Sequence, residues 1–388
     1  MDRSRGTPSS SPRLTCESVI LFRYFLLRCT TYHLCMFMVN AWKFPELLLL
    51  MGVLGIANTD GASIPVHQGG PQRFWNLETL SLQCIQDLGI SFQQFAAACR
   101  MRVKPSTQPI VVSTPLAHYD DNENAERSRR QLEDAICSTL FEMNVPAVCA
   151  INQATLALFS ARRTSGIVVN IGFHQTSVVP ILHGKVMYKV GVEVVGMGAM
   201  KLTSFLRDQM QQNNIHFDSL YTVRTLKEKL CYVALDYEAE LSKDTVASFA
   251  VTSDNWFTLT KERFQTGEIL FRPRMAGVQA MGLQQAVGLC MDHCHDAELK
   301  GDDNWYKTVV LAGGTACLPG LAARLEKELR ELLPLSISNG IRVIPPPYGT
   351  DSAWFGAKLV SNLSAFPTSW CITKKQFRHQ SKGKFLSF

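Results

Sequence analysis

The chain has 388 residues, of which 46% are hydrophobic and 19% are charged. This composition excludes a disordered or fibrous protein and suffices for one large bilobed core or two to three modest domains. The net charge of +6 is concentrated at the two ends, since no acidic residue follows Asp351. A nearly neutral central part argues against binding of nucleic acid over the whole face of the protein.

Residues 1–57 form an atypical, apolar and basic N-terminal extension, and residues 58–388 form the second unit. The run Leu47–Ala57 is apolar but shorter than a bilayer-spanning helix, and its distance from the first residue does not fit a secretory signal. An extension without an assigned role is therefore favoured over a membrane anchor. The 12 cysteines are irregularly spaced, which favours buried, reduced thiols in a reducing compartment over a disulfide framework.

Beyond this extension, helices and strands alternate. The sequence predicts a helix at 92–105, a buried strand at 108–116, a long amphipathic helix at 126–144, a strand at 145–152 and a helix at 153–162. The long helix carries a stripe of apolar residues on one face: Leu132, Ile136, Leu140 and Met143. This alternation predicts an α/β layered fold.

The stretch 167–184, IVVNIGFHQTSVVPILHG, predicts a strand, a tight turn and a second strand. Nucleotide-binding folds use such turns to point backbone N–H groups at phosphates, with an acid nearby to hold a metal. Here Asn170 stands where that acid is expected, and Phe173 and His174 fill the turn. The hairpin therefore has the shape of a phosphate site without its charge.

The second half repeats the alternation. The sequence predicts a helix at 223–241, with Leu226, Leu230, Val233 and Leu235 toward a core, and another at 275–297. Residues 307–333 predict a strand, a pair of glycines and a long helix. Glycines directly after a strand let a ligand approach the backbone closely, and the helix N-terminus lies nearby.

Five segments resemble the actin family in order and spacing, and the resemblance is dense from Phe92 to Phe377, about three quarters of the chain. They are residues 140–169, 226–238, 262–273, 312–320 and 361–377. The sequences of residues 166–177 and 342–364 most resemble those of a plant subfamily of actin-related proteins. Members of this subfamily carry an F-box. Residues 1–57 show no F-box pattern. The resemblance implies an α/β, actin-like (ribonuclease H-like) two-lobed fold.

The resemblance also implies an adenine-nucleotide site. Lys227 and Glu228 match the pair that frames adenine and ribose, although the same two residues also suit a solvated helix face. The segment matching the one against the sugar and α-phosphate comprises Gly313, Gly314 and Thr315, which also suit a plain helix-entry turn. Any ATP or ADP binding is expected to be weak and independent of metal.

A site that transfers the phosphoryl group of ATP needs a divalent metal, carboxylates around its water shell and donors to the phosphates. Gln153 matches the glutamine that positions the attacking water, although an amide there equally suits a core residue. The family draws its metal acids from two Asp-x-Gly hairpins. In the second hairpin Asn170 replaces the acid, with Ile171, Phe173 and His174 beside it. We therefore predict no catalytic residue, no metal site and no enzyme activity.

The first Asp-x-Gly hairpin has no clear counterpart. Asp60 and Gly61 lack a preceding strand and lie too close to Val103. The fold is therefore expected to be shortened in its N-terminal subdomain, which actin uses in filaments, and self-polymerisation is not expected.

These features predict a non-catalytic actin-related protein that acts as a structural or interaction platform for other proteins, in a nuclear or cytoplasmic complex. The alternative is a weak ATP-binding ATPase or an ATP-driven polymer of actin type. A third interpretation is a form tethered to a membrane through residues 17–57.

Two short motifs have alternative interpretations. Cys290, His293 and Cys294 have helical spacing suited to zinc, but a structural zinc needs four ligands, so a core-facing helix is favoured. The basic tail at 374–384 suits either a nuclear-import or nucleic-acid patch, or a solvated end.

Overall fold

A computed structural model describes residues 35–37, 109–116, 119–217, 219–251, 256–297, 305–366 and 368–380. The expected boundary at 57/58, the helix at 92–105 and the Asp60–Gly61 turn lie outside the described residues. The same holds for the N-terminal subdomain that is expected to be shortened, and these remain predictions.

The first of two large sheets is built from chain segments that are far apart in sequence. Its strands lie in the order β1 (Cys35–Phe37), β2 (Ile110–Thr114), β3 (Ala147–Asn152) and β12 (Ile372–Thr373). Strands β1, β2 and β3 are parallel, and β12 runs antiparallel to β3.

Helices cover both faces of this sheet because its strands alternate two buried sets of side chains. Helix α1 (Glu123–Glu142) packs on the face that contains Ile110 and Val148. Helices α2 (Gln153–Ser160) and α10 (Ser352–Ser361) pack on the face that contains Val111 and Cys149.

The second sheet has six strands and lies against the largest hydrophobic core. Its main path is β11 (Arg342–Ile344), β10 (Thr308–Ala312), β4 (Gly166–Ile171), β5 (Thr176–Leu182) and β6 (Lys185–Val186), while β7 (Glu193–Val195) pairs with β5. The neighbours β11, β10 and β4 are parallel, whereas β5 is antiparallel to β4.

The remaining helices and strands lie outside these two sheets. They are α3 (Ala199–Gln212), α4 (Leu220–Leu230), α5 (Tyr237–Leu241), β8 (Ala247–Ala250), β9 (Trp256–Leu259), α6 (Glu262–Glu268), α7 (Leu283–Asp296), α8 (Leu321–Leu332), α9 (Leu335–Ser338) and α11 (Lys374–Gln380). Strands β8 and β9 form a separate antiparallel hairpin. No helix in the described ranges has the length and apolar character needed to cross a bilayer.

The expected alternation is confirmed for most elements, and two helix predictions were too long. The helix expected at 223–241 is two helices, and Leu235 between them is 55% exposed instead of facing the core. The helix expected at 275–297 begins only at Leu283, with Gly282 at its N-cap, and the left-handed Gly277, with φ of 68°, ends a separate 3₁₀ turn before it. Helix α1 begins at Glu123 instead of 126, because the side chain of Asn122 caps its N-terminus.

Candidate functional site: the carboxyl ends of strands β4 and β10

The candidate site lies where the parallel strands β4 and β10 end. Asn170 on β4 is paired in register with Ala312 on β10, and Gly313 follows directly. Gly313 has φ of 92°, and a β-carbon there would overlap the backbone carbonyl oxygen of Ile171. The same β-carbon would lie 3.1 Å from Oδ1 of Asn170, so only glycine lets the turn cross the end of β4. Carboxyl ends of parallel strands are where ligands bind in open α/β sheets.

The turn that follows Gly313 approaches the end of helix α4. Thr315 and Cys317 bound a single 3₁₀ turn, in which Thr315 is buried and Cys317 is exposed. Partial burial, and then the nearby carboxylates of Asp351 and Glu228, raise the pKa of the Cys317 thiol. These groups therefore converge, so the structure brings together the segment at 313–315 and Glu228 that the sequence places in one site.

Two members of this group were missed in the sequence. Asp351 lies in the segment at 342–364 that carries part of the resemblance, but nothing local in it marks a site residue. Cys317 lies inside the segment at 312–320 and was not distinguished from the other cysteines.

Lys227 does not lie on a solvated helix face. It is 3% exposed, and its Nζ donates to the backbone carbonyl of Ala199 at 3.1 Å and to Oγ1 of Thr203 at 3.0 Å. Burial lowers the pKa of Lys227 to about 8, although the Glu228 carboxylate acts in the opposite direction. The Lys227 amine thus makes both of these hydrogen bonds to helix α3.

Glu228, the neighbour of Lys227, is directed outward. Nε of Arg224 donates to Oε1 of Glu228 at 2.8 Å, and the Glu228 side chain is 48% exposed. A second carboxylate oxygen can accept a further hydrogen bond. Glu228 therefore retains the chemistry needed to bind a ribose hydroxyl.

The tip of the β4–β5 hairpin is packed onto the N-terminus of α3. Backbone N–H groups of Ala199 and Met200 donate to the carbonyls of Gly172 and Phe173, at 2.9 and 2.8 Å. A helix N-terminus is ordinarily a favourable place for an anion. Here these two donors are used by the hairpin backbone and are not available to a phosphate.

The side chains of the hairpin tip are aromatic. Phe173 and His174 meet edge to face with ring centroids 4.7 Å apart. Nε2 of His174 is buried without a hydrogen-bond partner in the described part of the chain. Two bulky rings thus stand where phosphate-binding turns place small residues and backbone donors.

Gln153 is the first residue of α2, at the carboxyl end of β3. The side chain of Asn152 caps this helix by accepting from the N–H of Ala154 at 2.9 Å. Ala154 shares a buried cluster with Ala312, the last residue of β10. Helix α2 therefore connects the first sheet to the strand end that carries Gly313.

The donor set fits a nucleoside better than a metal-bound triphosphate. The Gly313 turn offers close backbone approach, Glu228 offers an acceptor, and Oγ1 of Thr315 is buried without a partner among the described residues. The hairpin tip from Asn170 to Gln175 contains no carboxylate. No group of three or more His, Cys, Asp or Glu side chains suited to a metal occurs within the described ranges.

The other motifs of the sequence lie away from this site. Cys290 and Cys294 are buried in the core, as expected for a core-facing helix, while His293 points outward with Nδ1 3.9 Å from Glu193. Lys374, in the basic tail, donates to the backbone carbonyl of Phe141 at 2.7 Å. The tail beyond residue 380 lies outside the described residues.

Comparison with known proteins agrees with this fold. Residues 93–225 and 216–383 match the family model for actin. The chain therefore belongs to the actin family, which confirms the resemblance and the actin-like two-lobed α/β fold. The ligand roles of the site residues are not tested by this match and stay predictions.

Among curated proteins, the chain is similar to plant proteins named Actin-related protein 8. It is 71% identical over 292 residues to the one from Arabidopsis thaliana, covering 75% of this chain and 62% of that protein. It is 66% identical over 289 residues to the one from Oryza sativa subsp. indica, covering 74% and 60%. The chain thus matches about 60% of the length of these relatives.

Proposed function

We propose that this protein is a non-catalytic actin-related protein that serves as an interaction platform for other proteins in a nuclear or cytoplasmic complex. The observation that carries the proposal is Asn170, an amide at the end of β4 that faces the Gly313 turn. An amide cannot supply the negative charge that holds a magnesium ion over phosphates. In this proposal the actin fold serves as a scaffold for protein interactions and does not hydrolyse ATP.

In this proposal the nucleoside half of the site is retained. Glu228 and the Gly313 turn bind an adenosine by shape and hydrogen bonds, with Gly314 and Thr315 beside its sugar. The phosphates add little affinity, because the α3 N-terminus is occupied by the hairpin carbonyls and the hairpin tip carries no lysine, arginine or metal-binding carboxylate. ADP and ATP are therefore expected to bind about equally, with or without magnesium.

A phosphate-release assay tests the absence of catalysis. We expect purified protein with magnesium and ATP to release phosphate no faster than Gln153→Ala, because Gln153 has no metal-bound phosphate to act on. Release at the rate of assembled actin that is lost in Gln153→Ala would overturn the proposal. A release rate shared by both proteins instead identifies a contaminating ATPase and agrees with the proposal.

Calorimetry and sedimentation test the other two parts. ADP and ATP titrations are run in magnesium and in a chelator, and tight ATP binding that collapses on chelation would contradict the metal-free site. Pelleting in magnesium and salt is expected to leave the protein in the supernatant. Filaments that form above a critical concentration would favour the alternative, an ATP-driven polymer.

A further inference from the structure

Two cysteines face each other across neighbouring strands of the first sheet. Cys149 lies in β3, and Cys371 directly precedes β12. The antiparallel register pairs Val148 with Ile372 and Ala147 with Thr373. Continued by one residue, the same register places Cys149 opposite Cys371.

The two side chains also lie on the same side of the sheet. Both belong to one buried cluster, with Cys149 1% and Cys371 7% exposed, and both thiols are free. Interaction with the Cys371 thiol, together with burial, raises the pKa of the Cys149 thiol. Two free thiols that face each other across the same pair of strands are placed to become bonded.

The geometry of directly opposed residues suits a disulfide. Opposed residues of an antiparallel pair have β-carbons about 4.5–5.5 Å apart. A disulfide needs α-carbons about 4.4–6.8 Å apart and β-carbons about 3.5–4.5 Å apart. A small approach of β12 toward β3 therefore meets the requirement.

A second pair of neighbouring thiols shows what this geometry adds. Cys290 and Cys294 also interact, but they are one turn apart on helix α7, and the Cys290 thiol donates to the backbone carbonyl of Gly191 at 3.6 Å. β-Carbons in that relation lie about 5–6 Å apart on a rigid helix, too far for a disulfide without breaking the turn. Contact alone thus does not make a disulfide site, whereas the cross-strand register does.

We propose that Cys149 and Cys371 form an oxidation site that takes up a disulfide when the protein meets a hydroperoxide. The thiolate of Cys371, the more exposed of the two, attacks one peroxide oxygen, which breaks the O–O bond and gives a sulfenic acid and hydroxide. The hydroxide takes up the proton that the Cys371 thiol lost on ionisation and becomes water. The sulfur of Cys149 then displaces the hydroxyl group, which leaves as water with the proton of Cys149. Two thiols and one hydrogen peroxide thus give one disulfide and two waters.

Access of peroxide to the two thiols depends on opening of the C-terminal segment, residues 371–380. Its described anchors include the two-residue strand β12, the bond from Lys374 to the Phe141 carbonyl, and the tilted contact of the Phe377 and Phe141 rings, whose centroids are 5.3 Å apart. A strand of two residues contributes few ladder hydrogen bonds, and its local opening gives the peroxide access to the buried thiols. The disulfide then locks the segment to β3 and prevents further opening.

The direct test maps the disulfide in the full chain. Protein is treated with hydrogen peroxide, its remaining thiols are alkylated under denaturing conditions without reductant, and the digest is analysed by mass spectrometry. We expect a linked pair of peptides containing Cys149 and Cys371, lighter by two hydrogen atoms and lost on reduction. Full alkylation of both residues after peroxide has oxidised other thiols would overturn the proposal.

Limited proteolysis supplies an independent readout. Trypsin is expected to cut after the exposed Lys375 and Arg378 about tenfold more slowly, or slower still, in oxidised than in reduced protein, because a disulfide opposes opening. The protection should be absent in Cys371→Ser and unchanged in the matched variant Cys294→Ser. Equal protection of Cys371→Ser would contradict the proposal, and the mapping on the unmodified chain stands even if a variant fails to fold.

Discussion

The side-chain nitrogen of Lys227 lies 3.1 Å from the backbone carbonyl oxygen of Ala199, and this contact fastens α4 to the first residue of α3. Ala199 in turn donates its N–H to the carbonyl of Gly172 at the hairpin tip. The residue that the resemblance assigns to adenine is therefore linked through two hydrogen bonds to the hairpin that replaces the phosphate site. Lys227 has a structural role whether or not a nucleotide binds.

The free energy of unfolding is expected to depend on pH through Lys227. Its pKa is about 8 in the folded protein against 10.5 when free, so the unfolded chain binds more protons between these values. Stability contributed by this group therefore rises with pH across that window. Urea unfolding measures this effect. As pH rises, the free energy of unfolding of the natural protein should increase relative to that of Lys227→Met, by at most about 1.4 kcal/mol per pH unit.

The matched control for that measurement is Lys229→Met, an exposed lysine on the same helix. This control shows how much of the change follows from removing any lysine of this helix. A pH-independent difference for Lys227→Met would mean that Lys227 remains protonated and solvated.

Gly356→Ala is expected to lower the free energy of unfolding by about 2–3 kcal/mol. A β-carbon at Gly356 would overlap the backbone carbonyl oxygen of Leu156, which forces α10 away from α2. Gly196→Ala is the control, since nothing lies within 4 Å of the added carbon there. Thermal or urea unfolding measures both, and equal small losses would show that the two helices separate freely.

Arg324→Met is expected to cost about 3–5 kcal/mol of stability, because it leaves the Glu268 carboxylate buried without its main partner. Nη1 of Arg324 lies 3.0 Å from Oε2 of Glu268, and the two side chains are 5% and 0% exposed. Adding Glu268→Leu to Arg324→Met should recover most of the loss. A double variant as unstable as the sum of the two single variants would show that the pair is not coupled.

Glu228→Ala is expected to weaken ADP and ATP binding together, by about 1–3 kcal/mol, if the carboxylate accepts a ribose hydrogen bond. Calorimetry on both nucleotides measures it. The control is Glu126→Ala, which removes an exposed glutamate that is likewise paired with an arginine four residues away. A loss confined to ATP would place Glu228 at the phosphates and refute the assignment.

Local patterns predicted the elements at the site well. The apolar run at 308–312 followed by paired glycines specified a strand and turn, and the backbone of Gly313 requires glycine for a reason visible only in the fold. The position of Asn170 opposite that turn follows from strand register. What the sequence did not predict is that the Lys227 amine binds α3, because that contact joins residues on two helices.

The prediction of one continuous helix at 223–241 was wrong for a physical reason. Val233 is buried, which continues the helical apolar period, but its backbone is bound elsewhere. The N–H of Val233 donates to the carbonyl of Pro319 at 2.8 Å, and Gly320 lies against the carbonyl of Val233. Partners that lie far away in sequence thus override a periodicity that is read locally.

The strand order of the first sheet has a consequence during synthesis, because its strands are made at widely separated times. Strand β12 leaves the ribosome long after β3, by roughly 10–45 s at synthesis rates of about 5–20 residues per second. Until then the side of β3 that receives β12 lacks this partner strand, and an open strand edge invites pairing with other chains. The nascent chain is therefore open to pairing with other chains at β3 during this interval.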